Sequence, residues 1–224
     1  MTWVKICGIT NLEDALTAVD AGADALGFVF YEKSPRKADP EKTREITAKL
    51  PQYVEKVGVF VDAEPEHIRA VVSRAALTIV QLHGEKSMNR IWADPRPIME
   101  CLGAVKVIPV IPGDSLKGDV LINPCLKEEK AFAILLDSRS NGASGGTGRT
   151  FNWEATQGMV QFLGSLVPVI VAGGLTPTNV ADAMRILKPW GVDVASGVEA
   201  VPGKKDPQKV RAFIAAVREA EKKI

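Results

Sequence analysis

The sequence predicts an α/β chain folded as a single (β/α)8 TIM barrel of the phosphate-binding kind. Three observations predict it. Short apolar strands alternate with amphipathic helical stretches. Strand starts recur every ~20 to 35 residues, about eight times, as such a barrel requires. Runs such as VGVFV, AILLD and PVIVAG are almost continuously apolar, the mark of parallel strands covered on both faces. An open doubly wound sheet is the alternative. It would need fewer strands, and no G-x-G-x-x-G follows the first one. No linker or shift of composition divides the 224 residues, so one catalytic domain is expected over 1–224.

The elements follow in order. The first strand is VKICGI, Val4 to Ile9. Thr10 or Asn11 then caps a helix from Leu12 to Ala21, whose Leu12, Ala15, Leu16 and Val19 keep the 3.6-residue period. Gly22 ends it. A strand over Ala25 to Phe30 leads through a Pro/Lys/Arg loop, Glu32 to Pro40, into a helix from about Glu41 to Leu50. The third strand is Lys56 to Val61, and Pro65 opens a helix running to about Ala75. Later strands are expected at Thr78 to Leu82, Val105 to Val110, Ala131 to Leu136, Val167 to Ala172 and Val192 to Ala195. Later helices are expected at Trp153 to Leu163, Thr178 to Leu187 and Pro207 to Lys222. The fourth and fifth crossovers read as irregular. Pro95 and Pro97 imply a helix that is short or starts near Pro97, and Gly113 to Lys130 reads mostly as loop.

Composition narrows the function. Lys+Arg 28 against Asp+Glu 27 gives a net charge of +1, without the basic excess of a nucleic-acid binder. Hydrophobic residues at 46% and charged residues at 25% describe a globular chain rather than a disordered one. The greasiest run, Leu163 to Leu175, is broken by Pro168, Gly173 and Gly174, so no membrane span is expected. The start, MTWVKICGIT, does not resemble a secretory signal. Cys7, Cys101 and Cys125 are odd in number and widely spaced, which fits a reducing cytoplasm. With no C-x-x-C and no H-E-x-x-H, no metal site is expected.

Chemistry in such a barrel collects where strands end in βα loops. Two glycine-bearing loops stand where these barrels hold phosphate: AGGLTPTN after strand seven, with Gly173 and Gly174, and ASGVE after strand eight, with Ser196 and Gly197. Backbone N–H groups at helix starts there bind a phosphate dianion, although tight turns needing positive φ explain the glycines too. Cys7 ends strand one and is either a small buried hydrophobe or a reactive thiol. Cys101 and Cys125 read as core filler. Asp137 ends a wholly apolar strand. It is a general acid, if a partly dry pocket keeps it protonated, or a cap of the next loop through Ser138. Arg36, in a proline-stiffened loop, is a fork for a carboxylate or a solvated surface residue. Asp62 ends strand three. His83 either meets ligand or satisfies a loop carbonyl. The loop Arg139 to Thr150, with Gly145, Gly146 and Gly148, is expected to fold over substrate as a lid.

In order along the chain, KICGIT, GFVF with SPR, VGVF, QLHG, LLDS with GGTGRTFNW, AGGLTPTNV and GVDVASGVE resemble the phosphoribosylanthranilate isomerases of tryptophan biosynthesis. The resemblance runs nearly the whole length. It implies an Amadori rearrangement of N-(5-phosphoribosyl)anthranilate to 1-(2-carboxyphenylamino)-1-deoxyribulose 5-phosphate, with no cofactor. It implies Cys7 as general base, Asp137 as general acid and Arg36 as holder of the anthranilate carboxylate. The expected partner is this small phosphorylated substrate, with neither nucleic acid nor membrane, for a cytoplasmic monomer or homodimer. Two rivals remain. One is the histidine-pathway aminoaldose isomerase, which normally carries an aspartate where Cys7 stands. The other is a non-catalytic barrel that binds a phosphorylated ligand.

Overall fold

The computed structural model of the chain describes residues 1–94, 96–113, 131–138 and 150–223. Eight strands close into a barrel in chain order. They are β1 (Trp3–Cys7), β2 (Ala25–Phe30), β3 (Glu55–Val61), β4 (Ile79–His83), β5 (Lys106–Pro112), β6 (Ile134–Asp137), β7 (Val169–Val171) and β8 (Gly191–Val194). Every neighbouring pair is parallel, and β8 returns to β1, so no barrel strand presents an open edge. Around them lie α1 (Leu12–Asp20), α2 (Pro40–Thr47), α3 (Pro65–Ala75), α4 (Glu85–Ala93), α5 (Arg96–Leu102), α6 (Trp153–Gly164), α7 (Val180–Leu187) and α8 (Pro207–Glu221). After β8 comes a 3-10 turn, Ser196–Val198, and then a small antiparallel hairpin of β9 (Glu199–Val201) and β10 (Lys204–Lys205).

The strands bury both faces, which is why their sequences are continuously apolar. Outward-facing Val4, Ile6, Leu26, Phe28, Val80 and Leu82 join the apolar stripes of the helices in the main core. Inward-facing Trp3, Ala25, Val57, Ile79, Ile108, Leu135 and Ile170 fill the barrel as a second cluster. Alternation along each strand therefore places Lys5, Cys7, Gln81, Asp137 and Asp193 on the inner side.

Helix starts follow local chemistry. Asn11, rather than Thr10, caps α1, its Oδ1 accepting from the Asp14 N–H at 2.9 Å. Asp39 and Asp206 cap α2 and α8, each followed by proline at the first helical position. The fourth crossover is irregular, as its prolines imply: one short helix runs Glu85–Ala93 and another starts at Arg96, beside Pro97. The carboxylate of Asp62 accepts from the Ser87 N–H at 3.0 Å and so caps α4 across the loop from β3. The break then yields a second helix, α5. Two strands are shorter than read: β6 begins at Ile134, with Ala131 forming only a lone bridge to Val107, and β7 covers three residues. Cys101 is only half-buried, not core filler. The fifth crossover (114–130), Cys125 and the lid glycines Gly145, Gly146 and Gly148 lie outside the described residues. Among the described residues no helix is long and apolar enough to cross a membrane.

Candidate active site

Cys7 closes β1 at the end of the barrel where the βα loops gather, and it is buried. The chain turns out of the strand at Gly8, whose φ is 79°. The N–H groups of Gly8 and Ile9 both donate to the Gly27 carbonyl at 2.9 Å, which fixes the exit path. Gly27 faces Cys7 in register across β2. A Cβ on Gly27 would stand 2.7 Å from the Cys7 Sγ and 2.9 Å from the Lys5 Cε. Glycine there makes room for a thiol and a lysine stem side by side within the barrel.

Charge surrounds this sulfur. Lys5 is fully buried and donates from Nζ to Asp193 Oδ1 on β8 at 2.9 Å. Burial alone would pull the Lys5 ammonium down, but the Asp193 carboxylate, with Cys7 beside it, holds its pKa above the ordinary lysine value. From the other side, Arg36 donates through Nε at 2.7 Å and Nη2 at 2.6 Å to the two oxygens of Glu199. These hydrogen bonds hold the guanidinium pKa above its usual value. Glu199 Oε1 also accepts from Lys205 Nζ at 3.0 Å. Burial would push the Glu199 carboxyl up, yet Arg36 and Lys205 keep it below the ordinary range. Burial pulls the Lys205 ammonium below the ordinary lysine value despite Glu199. Lys5, Arg36 and Lys205 each interact electrostatically with Cys7. Lys5 thus pairs with Asp193, and Arg36 and Lys205 share Glu199, near the sulfur.

Asp137 ends β6 on the inner side at the same end of the barrel and is buried. Ser138 follows against Gly173: a Cβ on Gly173 would lie 2.2 Å from the Ser138 Oγ. The two glycine loops interlock. Gly173 and Gly174 have φ of 82° and 66°, and a Cβ on Gly197 would come within 1.9 Å of the Leu175 carbonyl oxygen. Asn179 staples the first loop, donating from Nδ2 to the Gly174 carbonyl at 3.0 Å and accepting at Oδ1 from the Thr176 N–H at 2.8 Å. Ser196 and Gly197 form the 3-10 turn beside it. α7 starts at Val180, two residues later than its sequence predicts, because Asn179 folds back onto this loop.

The structure thus gathers Cys7 and Arg36 in one cluster, sets Asp137 on the same interior face, and joins Gly173, Gly174, Ser196 and Gly197 into one rim. Arg36 is buried, not solvated. Asp62 caps α4 and has left the mouth's chemistry. His83 Nε2 lies 2.6 Å from Gln81 Nε2. Lys5, Asp193, Glu199 and Lys205 are the residues that sequence reasoning missed. The signal for the first two was present: each interrupts an apolar strand at an inward position, where a charge must find a partner. Among the described residues no group of three or more His, Cys, Asp or Glu is placed to hold a metal.

The family model for N-(5'-phosphoribosyl)anthranilate (PRA) isomerase matches residues 4–216. The N-(5'-phosphoribosyl)anthranilate isomerase of Geotalea uraniireducens is 46% identical over 214 residues, covering 96% of this chain and 97% of that protein. That of Pelobacter propionicus is 44% identical over 219 residues, covering 98% and 97%. Among solved structures, the phosphoribosyl anthranilate isomerase of Thermotoga maritima is 42% identical with a TM-score of 0.81, covering 98% of this chain and all (100%) of that one. Another, at 40% identity and a TM-score of 0.78 over 98% of this chain and 100% of that one, was solved with reduced 1-(o-carboxyphenylamino)-1-deoxyribulose 5-phosphate. Matched by the family model over residues 4–216 and by these relatives along nearly its whole length, the chain, with its thiol at the end of the first strand and carboxyl at the end of the sixth, belongs to the N-(5'-phosphoribosyl)anthranilate isomerase family.

Proposed function

We propose that this chain, as one catalytic domain over 1–224, rearranges N-(5-phosphoribosyl)anthranilate to 1-(2-carboxyphenylamino)-1-deoxyribulose 5-phosphate in L-tryptophan biosynthesis. The observation that carries the reading is the position of Cys7: a buried thiol at the mouth end of β1, beside the Lys5 stem across Gly27 and followed by Gly8, against which Arg36 packs.

The Asp137 carboxyl gives a proton to the furanose ring oxygen. The C1′–O bond breaks and the anilino nitrogen lone pair forms a C1′ iminium. The iminium acidifies the hydrogen on C2′, and the Cys7 thiolate takes that proton. Its bonding electrons become the C1′–C2′ double bond and neutralise the nitrogen, giving an enolamine. Loss of the enol proton and protonation at C1′ then give the ketone. Each transfer contributes on the order of 10²–10⁴ in rate. No electron leaves or enters, so the sequence requires only an acid, a base and an anchored substrate.

Anchoring comes from both ends of the substrate. The rim of Gly173, Gly174, Ser196 and Gly197 is the proposed phosphate site, and Arg36 the proposed carboxylate site. Arg36 has five N–H donors, and Glu199 uses Nε and one position of Nη2. Among the described residues none accepts from the edge between Nη1 and Nη2, which is the proposed contact for a second carboxylate. Gly145, Gly146 and Gly148 stand as the proposed lid. The chain works in the cytoplasm as a monomer or homodimer; a relative from Thermotoga maritima is described as dimeric.

The experiment is steady-state turnover, followed as loss of phosphoribosylanthranilate fluorescence. Cys7→Ser and Asp137→Asn should each lower kcat by ~10² or more while product still binds. Wild-type turnover in both variants would remove these roles, and no turnover by the wild type at any pH would remove the activity itself.

A further inference from the structure

We propose that Glu199 is a positioning residue that sets the Arg36 fork at a fixed span from the Ser196–Gly197 turn, so that Arg36 selects a substrate with a carboxylate at that distance from its phosphate. This rests on the reading of Arg36 as the carboxylate anchor and goes further: it assigns specificity to a residue that need not touch the substrate.

The argument is one of connectivity. The Glu199 backbone N–H donates to the Ser196 carbonyl and so closes the 3-10 turn. Its side chain grips Arg36 at two points, 2.7 and 2.6 Å. One residue therefore holds both anchors, one through its main chain and one through its side chain. Further contacts stiffen the bracket. Lys205 Nζ donates both to Glu199 Oε1 at 3.0 Å and to the Ala195 carbonyl, at the start of that turn, at 3.1 Å. Lys209 Nζ donates to the Glu199 carbonyl at 2.9 Å, tying β9 to α8. At the hairpin tip, the Gly203 carbonyl accepts from Thr10 Oγ1 at 2.6 Å, and a Cβ on Gly203 would stand 3.0 Å from the Pro35 carbonyl oxygen. The hairpin is thus wedged against the residue that precedes Arg36. Two of the five guanidinium donors are committed, and their bidentate geometry fixes the plane in which the remaining edge points. A carboxylate that met an unheld arginine would first have to order its four torsions.

The test compares two substrates that differ only in the carboxylate: N-(5-phosphoribosyl)anthranilate and N-(5-phosphoribosyl)aniline. Glu199→Gln should lower kcat/KM for the first by roughly tenfold or more beyond whatever it costs the second, mainly through KM, since the changed charge beside Cys7 acts on both substrates alike and only the loss of the held fork depends on the carboxylate. Inhibition by inorganic phosphate should not change. In the Arg36→Ala background, Glu199→Gln should add nothing. Glu199→Asp keeps the charge but shortens the side chain by one methylene; it guards against a variant that fails to fold and should show the same split between substrates. Equal losses on both substrates, or additive losses with Arg36→Ala, would overturn the proposal. If Arg36→Ala itself fails to distinguish the two substrates, the carboxylate-anchor reading falls, an outcome separate from failure of the Glu199 arm alone.

Discussion

Gly8 has two physical reasons to be glycine. Its φ of 79° lies in the left-handed region, and a Cβ would meet the Arg36 Cδ at 2.6 Å. Gly8→Ala should therefore cost at least about 1 kcal/mol, lowering the thermal midpoint by about 2–4 °C for a chain of this size. It should also raise KM, because the added methyl displaces the buried guanidinium. Calorimetry beside steady-state kinetics checks both, and an unchanged midpoint would contradict the packing argument. At this scale the sequence was legible where a residue type and a strand end coincide, as at Cys7 and Asp137. It was opaque where a function depends on a partner far along the chain. Arg36 and Glu199 are 163 positions apart, and nothing local to SPR or to SGVE announces that they meet. Lys5 and Asp193 were more exposed to inference, since each interrupts an apolar strand on its inner side.

The elements divide by whether their signals are local. Helices with a proline at the first position, α2, α3 and α8, of which α2 and α8 also have a capping aspartate, were readable to within a few residues, because those signals act within one turn. α4 was not, because its capping carboxylate, Asp62, arrives from the end of another strand. The β9–β10 hairpin was also invisible, its two strands being three and two residues long, too short for an alternating pattern. Helix α6 offers a clean test of intrinsic propensity. Gly158 lies in its interior on the exposed face, and a Cβ there would meet nothing within 4 Å. Gly158→Ala should stabilise the chain by about 0.5–1 kcal/mol with turnover unchanged, as measured by urea unfolding. A loss of stability would mean that the position carries a constraint beyond its helix.

Across the whole molecule, the barrel closes where β1 meets β8, and Lys5 pairs with Asp193 in register across that seam. Removing one partner should cost about 3–5 kcal/mol, because the other charge stays buried without its counter-ion. Lys5→Met alone should therefore unfold at much lower urea than the joint Lys5→Met, Asp193→Asn variant, which recovers most of the loss. Equal midpoints for the two would deny the pair its place in the seam. The pH dependence has a definite sign. The Lys5 pKa is raised in the folded chain, so its contribution is complete below the ordinary lysine value of 10.5 and is lost as pH climbs through the raised folded value. The advantage of the wild type over the joint variant should hold steady up to that point and shrink beyond it. The same seam carries its own optical gauge. Trp3 opens β1, Trp190 immediately precedes β8, and their rings stack at 5.4 Å between centroids. Indole absorbs at longer wavelength than the Phe132 ring beside it, so once Trp92 of α4 and Trp153 of α6 are replaced by phenylalanine, parting of the first and last strands will register in the near-ultraviolet, without any label, apart from melting of the helices outside.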